Sequence, residues 1–303
     1  MRMNAWTRRM AETRTELRHH PVLRGAATAA AVAAAGQGVR RTRTGLLAGL
    51  AAGIVEASVL DRLAAVGRDV RNAEDAALLA PLLGSTGISL GTWAAEPDFL
   101  RLVALELTRD PVGVVELGSG ASTLLMGTIR RERRAPPVIS IEHDRAFAQQ
   151  MWTMIARAGL QDYVEIHVAP LRPTVLHGHE VIWYDREEVE RCVPAQIDLL
   201  VVDGPPSTTR MARWPAVEVL ATRLSDQGVV LLDDGRRRDE TTTARRWAQR
   251  HPDLALFWHD TIKGAWRLEV APRLDGRVVR LARRGVRRFD AHPAGFRRWS
   301  VRR

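Results

Sequence analysis

The sequence predicts a doubly wound α/β fold, a mostly parallel sheet with helices on both faces and an antiparallel hairpin at its last edge. Three observations lead there. Short apolar runs alternate with amphipathic stretches of helical length from residue 97 to residue 270. One of those runs, VVEL, passes straight into a glycine turn and then into a helix. The last two runs are separated by only a few residues, too few for a parallel crossover.

Taken in order, residues 97–108 carry Phe99, Leu100, Val103 and Leu107 at helical spacing. Residues 113–117 read as a buried strand, 122–131 as a helix, 138–142 as a strand and 145–158 as a helix. Strands follow at 164–168, 197–202 and 229–232, with helices around 214–224 and 241–250. Residues 254–259 and 264–270 form the closing pair around a turn at 260–263.

The two ends of the chain differ from this middle. Residues 1–72 hold 12 arginines against 5 acids and residues 273–303 hold 11 against 2, whereas residues 73–272 carry a net charge of −6. We therefore divide the chain into a basic, alanine-rich helical segment at 1–72, a catalytic domain at 73–272 and a basic tail at 273–303. The overall charge of +10 then says little about nucleic acid, because the core is acidic. In the first segment, residues 26–35 and 45–60 are apolar but neither reaches the roughly 20 residues of a spanning helix, so a packed or interfacial helical pair is expected. Residues 278–289 have the spacing of a basic amphipathic helix suited to an anionic membrane surface; a solvated tail is the alternative. The single cysteine, Cys192, forms no internal disulfide, which points to a cytoplasmic protein, with the basic ends able to hold it at the inner membrane face.

The chemistry concentrates at residues 114–123, VVELGSGAST. Gly118 and Gly120 clear room for a ligand to approach the backbone, and Ser122 or Thr123 can cap the helix that follows. The third glycine of a dinucleotide fingerprint is missing, and Glu116 at the strand end suits an α-amino group better than a pyrophosphate. Glu142 ends the next strand 22 residues after Gly120, where a carboxylate accepts both hydroxyls of a ribose. An amino acid joined to a nucleoside satisfies both acids, and S-adenosyl-L-methionine is such a molecule.

Over residues 91–273 the sequence resembles the class I S-adenosylmethionine-dependent methyltransferases, in particular the bacterial methyltransferase-24-like group. The marks are GTWAAEPDFLRL, VVELGSGASTLL, VISIEHD, HVAPLRP, WYD, IDLLVVDGPPS, GVVLLDDGRRRDE and IKGAWRLEV. The resemblance implies a Rossmann-like class I methyltransferase sheet. It also implies cofactor contacts at Glu116, Gly118 and Gly120 for the methionine part, at Glu142 for the ribose and around Ala169 for the adenine; Ser119, Ser122, His143 and Asp203 are further residues expected at the cofactor.

Ligands of open α/β sheets lie beyond the carboxyl ends of the strands, where Asp203, Asp233 and Asp234 stand. Three carboxylates there suit Mg²⁺, and catechol-type O-methyltransferases look similar at these two strands, although no Asn completes their pattern. The alternative places Asp203 near the cofactor and has Asp233 or Asp234 cap the next helix. For proton removal Asp203 leads, with Lys263, the only lysine, and His143 behind it. Trp183 and Tyr184 either pave an acceptor pocket or cover the sheet.

The expected function is thus methyl transfer from S-adenosylmethionine, most readily to an oxygen of a small-molecule, glycan or lipid-linked acceptor. An NAD(P)-dependent Rossmann oxidoreductase and a non-catalytic, membrane-associated nucleoside-binding protein are the rivals. Nucleic acid is disfavoured as acceptor by the acidic core and by DGPP at the place of an NPPY-type motif.

Overall fold

A computed structural model describes residues 43–86, 95–206, 210–271, 273–274 and 277–278. The chain separates into two compact units, Met1–Ala64 and Ala65–Arg303. Helix α1 (Arg43–Leu83) is continuous over 41 residues, so the apolar run at 45–60 belongs to one long helix. The boundary drawn at residue 72 falls within it. The run at 26–35 and nearly all of the 278–289 pattern lie outside the described residues. Among the described residues, no helix is long and apolar enough to cross a membrane.

In the second unit the last turns of α1 are bound to helix α2 (Pro97–Leu107). Leu79 and Leu83 are buried in one cluster with Phe99, Leu100 and Val103. Asn72 Oδ1 accepts the Asp98 backbone N–H at 3.0 Å, satisfying a donor at the open end of α2. Arg101 pairs with Asp75 at 3.2 Å.

Seven strands form the main sheet: β1 (Val114–Leu117), β2 (Val138–Glu142), β3 (Val164–Val168), β6 (Ile197–Val202), β7 (Leu224–Leu232), β8 (Leu254–His259) and β9 (Ala265–Val270). Their order is β3-β2-β1-β6-β7-β9-β8, parallel up to β7 and antiparallel for the last two pairings. The sheet and its closing hairpin are therefore as the sequence predicts. Alternation along each strand divides the core: Leu199 and Val201 pack with α2 and with helix α3 (Ala121–Arg133) on one face. Leu200 and Val202 join Trp214, Trp247 and Trp183 on the other. Helix α4 (Arg145–Arg157) adds Ala148, Met151 and Ile155 against β3.

Two elements were not anticipated. Strands β4 (Leu171–Leu176) and β5 (His179–Tyr184) form a separate hairpin, turned at His177 (φ 49°) and Gly178 (φ 78°). Two successive positive φ values match the twist that a two-residue hairpin loop requires. The tip is held by Glu218 of helix α6 (Pro215–Leu220), whose Oε2 lies 2.7 Å from His177 Nε2 and 2.9 Å from Arg250 Nε. A short helix α5 (Arg186–Cys192), capped by Asp185, leads from this hairpin to β6. Strand β7 starts at Leu224, and α6 is correspondingly shorter than the 214–224 read from spacing.

Candidate active site

The carboxyl ends of β1, β2, β6 and β7 meet at one edge of the sheet. Gly118 turns the chain after β1 with φ 97°, a conformation that favours glycine. A Cβ there would lie 2.8 Å from the Gly204 nitrogen, so the turn after β1 and the loop after β6 touch backbone to backbone. At Gly120 a Cβ would meet nothing within 4 Å among the described residues, which leaves open space there above the start of α3.

Glu116 lies beneath this turn and is fully buried. Its Oε1 accepts the Ser122 hydroxyl, and its Oε2 accepts Thr123 Oγ1 at 2.6 Å and Ser140 Oγ at 2.8 Å. Thr123 Oγ1 in turn accepts the Gly120 N–H at 2.8 Å. Direct contacts of Glu116 and Ser122 with a ligand are not what this geometry offers. Both are spent within the chain, because an acid this deep needs hydroxyl donors and the helix start supplies them. They brace the turn from below. Burial raises the Glu116 pKa to about 7, against the opposing pull of the three hydroxyls.

A raised folded-state value means that Glu116 favours the folded protein below its ordinary pKa of 4.5, and that this contribution is lost as the pH climbs through about 7. Glu116→Gln, which carries no titrating proton, should therefore gain on the wild type by about 3 kcal/mol over that window. Urea unfolding of both chains at several pH values checks it; parallel pH profiles would contradict it.

Glu142 is 3% exposed and already oriented. Its Oε1 accepts the backbone N–H groups of His143 and Asp144, each at 2.8 Å, and its Oε2 that of Ser119 at 3.1 Å. His143 Nδ1 lies 2.7 Å from the same carboxylate, whose hydrogen bond raises the His143 pKa. Asp144 then caps α4 through Ala146 and Phe147. Ala169 donates its N–H to the Glu142 carbonyl at 2.8 Å, placing the end of β3 beside the end of β2. Trp183 and Tyr184 are fully buried, so they cover the sheet, and a Cβ on Gly204 would meet the Tyr184 hydroxyl at 2.3 Å.

Beyond β6 and β7, Asp203, Asp233 and Asp234 converge, with one oxygen of each within 4.8 Å of the others. The sequence placed these three together; it did not place Arg213 among them. Arg213 Nη2 lies 3.1 Å from Asp203 Oδ1 and 2.9 Å from Asp234 Oδ2, while Nη1 donates to the Asp233 carbonyl at 3.1 Å. Arg237 reaches Asp234 Oδ2 at 2.7 Å. Both Asp233 oxygens are buried without a hydrogen-bond partner among the described residues. Burial, then the neighbouring Asp203 and Asp234, pushes the Asp233 pKa well above the usual carboxylate range. Neither Asp233 nor Asp234 caps helix α7 (Arg238–Arg250), whose N-cap position is Arg237.

Lys263 is brought here by the closing hairpin. Gly264 adopts φ 69°, its carbonyl accepts the Gly235 N–H at 2.7 Å, and the Lys263 carbonyl accepts that of Arg236 at 2.9 Å. Burial raises the pKa values of both Asp203 and Asp233, and the Lys263 charge is among the groups that oppose the rise. His143 stands instead on the β2 side, with Glu142. A separate cavity of about 800 Å³ opens at the opposite, amino-terminal edge of the strands, lined by Gly113, Gln196 and Asp198 among others. It is remote from all of these groups.

The model of a family described as a methyltransferase domain matches residues 115–235, from β1 through the loop after β7. This chain carries a class I methyltransferase domain of the methyltransferase-24 type. Among solved structures, the methyltransferase is similar to cofactor-bound Rv0187 from MTB (19% identity, 68% of this chain and 98% of that one, TM-score 0.49). It is also similar to the O-methyltransferase from Bacillus cereus in complex with SAH (16%, 63% and 90%, 0.46) and to the O-methyltransferase TomG from Streptomyces achromogenes in complex with SAM (18%, 66% and 90%, 0.43). No curated protein matches.

S-adenosylmethionine is the methyl donor of such an enzyme, and the empty space at Gly120 beside the preset Glu142 carboxylate fits it. A divalent ion fits less well. Two of the three carboxylates that would ligate it already direct an oxygen at one guanidinium nitrogen. No chemical step is assigned to a metal here.

Proposed function

We propose that this methyltransferase transfers the methyl group of S-adenosylmethionine to a hydroxyl oxygen of a small-molecule acceptor, with Asp203 accepting the hydroxyl proton. The observation that carries this reading is the position of Asp203. Its side chain is 24% exposed while that of Asp234 is 6% exposed, so it is the carboxylate of the pair that reaches the surface of the site.

The bound cofactor supplies an electrophilic methyl on a sulfonium. The chain holds the acceptor oxygen in line with it. Asp203 would accept the proton that the acceptor hydroxyl loses on methylation, so that the product leaves as a neutral ether. Burial raises the Asp203 pKa, and Arg213 and, after it, Lys263 oppose that rise. His143 steadies Glu142 on the cofactor side.

The test is a transfer assay with methyl-labelled S-adenosylmethionine against paired acceptors, phenols and alcohols on one side and the matching amines on the other. Label is expected on the hydroxyl compounds; label confined to the amines would sink the reading. The net charges of +7 at residues 1–72 and +9 at 273–303 support a second reading, a glycan or lipid-linked acceptor met at an anionic membrane surface. Sedimentation with phosphatidylserine vesicles, compared with neutral vesicles, separates the two.

A further inference from the structure

We infer that Arg213 is the resident cation of the acid cluster, holding Asp203, Asp233 and Asp234 in place of a divalent ion, so that cofactor and acceptor are bound without a metal. This rests on the methyltransferase site described above, and its test is separable from that site's.

The guanidinium is built in. Its side chain is 4% exposed. One nitrogen bridges the Asp203 and Asp234 carboxylates and also donates to the Asp203 carbonyl, while a second donates to the Asp233 carbonyl. Nε lies 4.0 Å from Glu240 Oε1. The fork thus ties the ends of β6 and β7 to each other through main-chain oxygens as well as through charge, which a spherical ion does with far less directionality. Its neighbours Ala212 and Trp214 are buried, so the backbone carrying it is anchored.

A magnesium ion would need near-octahedral oxygen ligands at about 2.0–2.1 Å. Here Asp203 and Asp234 each turn an oxygen toward Arg213, and Arg237 takes the same Asp234 oxygen. An ion among these acids would also sit against a fixed positive charge. Asp233, whose oxygens have no hydrogen-bond partner among the described residues, does not complete a ligand set by itself. One consequence concerns the acceptor. A bound metal selects molecules with two adjacent oxygens that chelate it; a guanidinium whose two terminal nitrogens are already engaged makes no such demand, so a single hydroxyl suffices.

Manganese titration of the full chain, followed by electron paramagnetic resonance, is paired with calorimetry of S-adenosylhomocysteine in EDTA and in Mg²⁺. The expected result is no stoichiometric manganese site and the same nucleoside affinity in both buffers. Stoichiometric manganese binding that disappears in Asp233→Asn would overturn the inference, as would nucleoside affinity lost in EDTA and restored by Mg²⁺. Arg213→Met should lower the melting temperature and gain a manganese site; a folded Arg213→Met chain that melts like the wild type would also overturn it. If Arg213→Met does not fold, the wild-type readings decide. Absent nucleoside binding under every condition would count against the cofactor site, and the manganese result would still judge Arg213.

Discussion

Asp203→Asn is expected to lower kcat by about 10²–10⁴-fold, the range lost when a positioned general base is removed. Affinity for S-adenosylhomocysteine should change little, because asparagine still accepts from Arg213 and the cofactor cradle at Gly118, Gly120 and Glu142 is untouched. The pH profile makes the assignment specific. Burial raises the Asp203 pKa, Arg213 and Lys263 oppose that rise, and Asp234 adds to it. Activity should therefore fall on the acid side as Asp203 takes up its proton, and that limb should vanish in the asparagine variant. Full activity in Asp203→Asn, or an unchanged acid limb, would assign the proton to another group.

Gly118→Ala is expected to cost about 2–4 kcal/mol of stability and to abolish S-adenosylhomocysteine binding. Two costs combine: a non-glycine residue forced to φ 97°, and a Cβ 2.8 Å from the Gly204 nitrogen and 2.9 Å from its Cα. The obstacle is backbone in a packed loop, so no side-chain rotation relieves it. Gly120→Ala is the informative partner. Its backbone is extended at φ 175°, and its Cβ enters open space. Stability should hold while affinity drops, since the methyl would occupy the room left for the cofactor. Thermal unfolding and calorimetry on both variants distinguish strain from occlusion; equal loss of stability in the two would contradict the argument.

The central strands were legible because β1, β2, β6 and the second half of β7 are almost wholly buried and so appear as short, mainly apolar runs, a pattern that surface loops do not imitate. The β4–β5 hairpin was not. Pro173 interrupts its first strand, and its turn is His177-Gly178, without the Asn-Gly or Asp-Gly pair that marks such loops. At the site, the glycine turn, Glu142 and the three aspartates were legible from their places at strand ends. Glu116 was located but not its partners, since Ser122, Thr123 and Ser140 are gathered only by folding. Arg213 was hidden by composition: in a chain whose basic residues are all arginine except Lys263, one more arginine carries no signal. Its setting between Met211, Ala212, Trp214 and Pro215, an apolar run that leaves a charge little access to water, was the clue available.

The contact between Gly118 and Gly204 joins the turn proposed to receive the cofactor to the loop that follows the proposed base. Asp203 and Gly204 both donate their N–H groups to the Leu117 carbonyl, at 3.0 and 2.6 Å, so neither segment settles independently of the other. Occupancy of the two ligand sites is then thermodynamically linked. By whatever factor the nucleoside tightens the hold on the acceptor, the acceptor must tighten the hold on the nucleoside by the same factor.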